Sequence, residues 1–215
     1  MRQPWIMLGV LVLARTAMGY AFQSVGSAGP AIAVALAVAL AVDFAFIGTL
    51  IGLFMLPGIA LSLPSGLLAR RASDRALIGS GLALMTLGCL VTAAATGPTV
   101  AASGRLVTGV GATLANLYFT KATLDGFAGS RQLPLAMALL LNSWPIGIAL
   151  GLMTQGRLAL AFGWEAAILA SAALALAASL LMAFVYREAP ERTVPPVAGM
   201  AALKAGSPST AWMQA

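Results

Sequence analysis

The chain has 215 residues, 60% of them hydrophobic and only 8% charged, with a formal net charge of +6 and a mean hydropathy of +0.96. A soluble domain carries about 25% charged residues, so this composition excludes one and specifies an integral membrane protein. The sequence has no histidine and one cysteine, Cys89. His-based metal sites, His proton relays, serine–histidine catalysis and an intramolecular disulfide are all removed, and no enzyme, metal or cofactor is expected. The apolar runs are long and rich in Leu, Ala and Gly rather than short and alternating, so the fold class is all-α, with helices satisfying their own backbone in hydrocarbon.

In chain order, the first span is expected over residues 5–26, behind Arg2. Ala31–Val42 is apolar but has only twelve residues, short of the about 20 a span needs. It reads as an outer-side or interfacial connection, with Asp43 as the N-cap of the next helix. Further spans are expected over 44–69, 76–96, 99–120, 133–155 and 164–186, followed by a flexible tail over 187–215. In the second span, Gly48-x-x-x-Gly52 reads as a close-packing face, and Pro57 and Pro64 interrupt the helix. Gly156–Gly163 is read as the turn between the last two spans.

Six spans place both ends on one side. Arg2, Arg70, Arg71, Arg75, Lys121, Arg131, Arg187, Arg192 and Lys204 fall on that side and only Arg157 opposite, nine against one. The positive-inside rule makes both termini cytoplasmic, and a bacterial cytoplasmic (inner) membrane is the expected location. Charges spread through the loops in this way do not form a nucleic-acid face, so no nucleic acid is expected as a partner.

Two arginines lie inside spans, where a charge costs at least about 2.5–3.5 kcal/mol and normally turns inward. Arg15, Gly19, Gln23 and Gly26 share one helix face; Arg105, Gly109, Ala112 and Asn116 share another. Each arginine either bonds backbone carbonyls or faces a solute path. The pair Arg15-x-x-x-Gly19 and Arg105-x-x-x-Gly109 occurs in spans one and four, the relation that a three-plus-three inverted repeat produces. Every acid maps to a loop or a span end, so a solute that neutralises these arginines is a small anion. The expected contacts are Arg15, Gln23, Arg105, Asn116 and Asn142. In span five, Pro145, Gly147 and Gly151 read as a kink with close packing.

The stretch Pro64-Ser-Gly66-Leu-Leu-Ala-Arg70-Arg71-Ala-Ser73-Asp74-Arg75 resembles the loop signature P-x-G-x-L-A-D-R-x-G-R-R of the major facilitator superfamily. Arg105-x-x-x-Gly109-x-Gly111 and Gly163-Trp164 are similar to signatures of its fourth and sixth spans. Arg15-Thr-Ala-Met-Gly19-Tyr-Ala-Phe-Gln23 and Asn142-Ser-Trp-Pro145-Ile-Gly147 look most like the cyanate and nitrate/nitrite-type branch. The resemblance covers nearly all of residues 1–190 and implies the N-terminal six-helix half of a twelve-helix secondary transporter. The cytoplasmic loop motif is then Gly66, Arg70, Arg71, Asp74 and Arg75. Arg70 stands where the family has its acid, Ser73 replaces a glycine and Asp74 a basic residue, which puts that family's latch between halves in question. Family members hold solute between two such halves. The expected partners are therefore the bilayer, a small solute, and either a second six-helix half or a second copy; a truncated or partner-dependent subunit without transport of its own is the alternative.

Overall fold

The computed structural model of the chain describes residues 2–40, 44–61 and 73–187. Those residues form six α-helices: α1 Arg2–Leu40, α2 Phe44–Leu61, α3 Asp74–Ala93, α4 Pro98–Gly126, α5 Leu133–Phe162 and α6 Trp164–Phe184. By length and composition, four stretches suffice to cross a membrane: Pro4–Pro30, Asp74–Ala93, Leu133–Phe162 and Trp164–Phe184. The apolar helix Ala45–Leu61 is shorter. α4 is less apolar because Arg105, Thr108 and Thr123 ride on it, all three buried.

Two expected boundaries are corrected. The first helix does not end near Gly26, and residues 31–40 are not a separate connection: α1 runs unbroken for 39 residues, about 58 Å at 1.5 Å per residue. Pro30 forfeits one ladder bond. The alanine-rich run around it contains the best helix formers, and leaving the helix in an apolar medium would strand many more backbone groups. Likewise α5 continues past Gln155 to Phe162, and the turn into α6 is Gly163 alone. Its φ of +89° is a conformation that glycine adopts without strain.

One end of the bundle is defined by contacts between distant segments. Trp5 Nε1 donates to Gln132 Oε1 at 3.2 Å and stacks edge-on against Phe127. The Arg187 amide donates to Met7 sulfur at 2.9 Å. Lys121 Nζ at the end of α4 donates to both carboxylate oxygens of Asp74 at the start of α3, at 2.9 and 2.8 Å, and lies 3.1 Å from Asp125. The starts of α1, α3 and α5 thus lie with the ends of α4 and α6.

Partial burial pushes the Lys121 ammonium down, but its hydrogen bonds to Asp74 and Asp125 outweigh this and hold its pKa above the ordinary value. A raised cationic pKa contributes stability that is present below about pH 10.4 and is lost as pH climbs through the folded value. Lys121 is half exposed, so screening keeps the contribution within about 1 kcal/mol. Melting of the detergent-solubilised protein should therefore fall more steeply from about pH 9 to about pH 11 in the wild type than in Lys121→Met; parallel curves would refute it.

Small residues set the helix spacing. A Cβ on Gly81 of α3 would lie 2.7 Å from the Gly111 carbonyl of α4, and one on Gly104 of α4 would lie 2.7 Å from the Thr92 amide of α3. Gly19 of α1 abuts the Trp144 carbonyl of α5, and Gly147 of α5 abuts the Thr16 carbonyl of α1. Gly109 of α4 abuts the Phe54 carbonyl of α2. The expected packing face at Gly48 and Gly52 behaves otherwise: both are exposed, with no atom within 4 Å of an added Cβ. The buried face of α2 runs through Ile47, Leu50 and Phe54, one residue out of phase with that glycine pair. The close approach to α2 is supplied by Gly109 from the opposite helix.

Candidate functional site

The two arginine–glycine stripes meet different fates. Arg105 is 1% exposed. Its Nε donates to the Leu50 carbonyl at 3.3 Å, Nη1 to the Ala21 carbonyl at 3.2 Å and to Ser24 Oγ at 3.5 Å, and Nη2 to the Phe22 carbonyl at 3.3 Å. The planar fork of guanidinium reaches two helices at once, α1 and α2, a geometry an ammonium cannot copy. Its carbon Cζ also lies 4.9 Å from the Phe54 ring centroid, within cation–π range. Carbonyl oxygens from both helices satisfy the charge, and Arg105 is spent on holding α1, α2 and α4 together.

Arg15, by contrast, is partly exposed. Among the described residues its Nε is buried without a hydrogen bond. It lines a cavity of about 340 Å³ together with Met18 from its own helix. α2 contributes Phe54, Met55 and Gly58; α4 contributes Ala112, Thr113, Asn116 and Leu117; α5 contributes Trp144. That volume is at the small end of the range for small-molecule pockets. Among the described residues no carboxylate lines it. Asn116 Oδ1 is likewise buried without a partner among the described residues. Arg15 and Asn116 are each partly exposed, so part of either side chain is open to a ligand in the cavity although these two atoms are covered.

The cavity wall is fixed from behind by an aromatic chain. Trp144 packs at 5.5 Å on Phe22, which packs edge-on at 5.3 Å on Phe54, the ring beneath Arg105. Arg105 therefore supports the wall through Phe54 without lining the cavity. The Gly19–Gly147 contact brings Arg15 and Trp144 together, each one helical turn from its glycine.

The structure thus joins Arg15 and Asn116 and separates the other expected contacts from them. Gln23 packs against Gly151 between α1 and α5, and its Nε2 donates to Ser27 Oγ at 3.2 Å. Asn142 is exposed on the outer face of α5, where its Nδ2 donates to the Ala138 carbonyl of its own helix at 2.8 Å. Pro57 and Pro145 lie inside α2 and α5. Of the loop motif, Asp74 pairs with Lys121, and Arg75 borders a groove between α3 and α6. Pro64, Gly66, Arg70 and Arg71, like Asp43 and the tail from 188, lie outside the described residues.

Sequence reasoning passed over Thr113 and Trp144 as cavity residues. Thr113 stands three positions before Asn116, a helical spacing that could have placed it on the same face. Trp144 carried no equivalent signal: of its neighbours Asn142, Pro145 and Ile146 are exposed and Ser143 is buried. Also unforeseen is Gln155, fully buried, whose Nε2 donates to the Tyr20 carbonyl at 2.9 Å and to Ser171 Oγ at 3.1 Å, tying α5 to α1 and α6.

A family model, that of the Major Facilitator Superfamily, matches residues 10–214. No curated protein matches the chain.

Proposed function

This chain belongs to the Major Facilitator Superfamily, a family of secondary membrane transporters, and from that premise we propose that it moves a small anionic solute through the Arg15 cavity by alternating access. The single observation behind the anion reading is that Arg15 lines a cavity in which, among the described residues, there is no carboxylate and its Nε has no hydrogen-bond partner. An anionic group there forms a charge-assisted bond to the guanidinium and offsets the cost of a cation at bilayer depth. The likeness to the cyanate and nitrate/nitrite-type branch runs through Arg15–Gln23 and Asn142–Gly147. Of its polar residues Arg15 lines the cavity, so the solute class is argued from the cavity.

Six spans arranged as an inverted repeat are part of the same proposal. Exchanging α1 with α4 and α2 with α5 carries the Gly19 contact of α1 on α5 onto the Gly109 contact of α4 on α2, the relation a repeat of opposite topology demands. The charged end of the bundle, holding Lys121, Arg187 and the start of α1, is assigned to the cytoplasm of a bacterial inner membrane by the positive-inside rule. The cavity draws on α1, α2, α4 and α5, and Met55 on its lining is half exposed. That open side favours closure by a second six-helix half or a second copy, and a chain that transports only with such a partner is the second reading.

The full chain, reconstituted in liposomes, is tested for uptake of nitrate, cyanate, acetate and lactate. Uptake of at least one is expected, reduced about ten- to a hundredfold by Arg15→Gln, the worth of one hydrogen bond to a charged group. Undiminished uptake by Arg15→Gln would sink the anion role. Silence alone with recovery on adding a second half would select the partner-dependent reading.

A further inference from the structure

Gly58 stands in the cavity wall without the packing reason that the glycines around it have. A Cβ on Gly19, Gly109 or Gly147 would press on a main-chain carbonyl of another helix. A Cβ on Gly58 would meet only Thr113 Oγ1 among the described residues, at 3.8 Å, which is ordinary contact. Alanine would fit there and is the better helix former, so glycine at this point of α2 leaves a space that helix packing does not require. That space belongs to the cavity, because Gly58 and Thr113 both line it.

The spacing of α2 and α4 accounts for it. Gly109 of α4 abuts the Phe54 carbonyl, so the two helices touch at that level. One turn on in each helix Gly58 comes opposite Thr113, and no backbone atom of α4 lies within 4 Å of the added Cβ. Met18, Phe54, Met55 and Leu117 make much of the remaining lining apolar, and Arg15 is its charged group. Such a lining suits a carbon body that carries one anionic group.

We propose that Gly58 and Thr113 set the size of solute the cavity admits, and that this solute is an organic carboxylate with its charge on Arg15 and its carbon body against the α2–α4 wall. This rests on the anion reading above and adds a size limit fixed by two positions. The limit is one of volume and acts on the carbon body rather than on the charge. A methyl added at Gly58 takes space, and truncation of Thr113 returns it.

Calorimetric titration of the full chain in detergent with straight-chain carboxylates from acetate to octanoate reads the limit as the longest acid bound. Gly58→Ala should shorten it and Gly58→Val should shorten it further. The first acid beyond each variant's limit should bind about tenfold less tightly than to the wild type, with acetate unchanged. Thr113→Ala should lengthen the limit, and combining it with Gly58→Ala should bring the limit back, since positions in contact are coupled. Arg15→Gln should weaken every acid. A limit that none of these Gly58 and Thr113 variants moves, or a loss in Gly58→Ala spread evenly over all the acids, would overturn the size role and leave the anion reading standing. Binding of nitrate by the wild type with none of the acids would do the same. Undiminished binding by Arg15→Gln would overturn both, as would a wild type that binds neither nitrate nor any of the acids. The methyl of Gly58→Ala meets no clash, so its melting temperature should not fall, and Thr113→Ala reads the limit without adding an atom.

Discussion

Arg105→Lys, nominally the mild substitution, is expected to destabilise the protein more than Arg105→Met. The guanidinium reaches carbonyls at Leu50, Ala21 and Phe22 and the Ser24 hydroxyl from one planar group. An ammonium radiates from a single atom and cannot span α1 and α2 together. Lysine therefore keeps the buried charge and loses most of its compensation, which costs on the order of 3 kcal/mol when one side of a buried charged contact is lost. Methionine removes the charge and with it the desolvation penalty, fills most of the volume, and leaves carbonyls that belong to helical ladders. Its cost should stay near 1 kcal/mol, in keeping with the average of about 0.6 kcal/mol for single interhelical hydrogen bonds in membranes. Arg105→Ala joins the lost bonds to an unfilled cavity in the core and should cost about 3 kcal/mol or more. Thermal or denaturant unfolding in detergent ranks the three. Lysine tolerated as well as methionine would show that the fork to backbone carbonyls is not what Arg105 contributes.

The second large effect separates two glycines on the basis of what surrounds them. Gly147→Ala places a Cβ against the Thr16 carbonyl and 2.9 Å from the Tyr20 amide, both backbone atoms of α1. Neither can swing away, so the helices must part, at the about 1–3 kcal/mol typical of overpacking. Transport should fall further than stability does. Parting α1 from α5 moves Arg15 relative to Trp144, and both line the cavity. Gly48→Ala should act in the opposite direction. With nothing within 4 Å among the described residues, the added methyl meets no contact there, and the substitution gains the helix preference of alanine over glycine, about 0.8–1 kcal/mol. Melting temperatures and liposome uptake of the two variants test this. A stable Gly147→Ala with full uptake would exclude the close contact as a determinant of the site, whereas a destabilised Gly48→Ala would restore the packing role that its Gly-x-x-x-Gly spacing suggested.

Much of the architecture was legible beforehand because bilayer solvation is a strong and local constraint. Long apolar runs must be helical, charges must collect at their ends, and an arginine within a run must turn inward; each inference needs only the residues themselves. Boundaries were less legible. Gly26, Pro30 and Gly156 look like breaks, yet in hydrocarbon the penalty for leaving the helix exceeds that for one lost bond at a proline or the flexibility of a glycine. The loop motif was legible as a pattern, and Asp74 at a shifted position gave no hint that it would pair with Lys121, 47 residues away.

The candidate site shows the same division most sharply. Sequence alone determined that Arg15 and Arg105 lie within long helices, each one turn from a glycine and on a polar or small-residue face, because helical periodicity decides which side chains share a face. It could not tell them apart, since the two stripes are nearly the same. Tertiary structure decided that carbonyls of α1 and α2 come within reach of Arg105, whereas Arg15 Nε finds no partner among the described residues. Whether a buried charge is satisfied depends on the oxygen atoms other helices bring to it, and those positions follow from the close glycine contacts between helices. Arg105 thereby became part of the scaffold, and Arg15, which lines the cavity with Asn116, was left as the residue able to meet a solute.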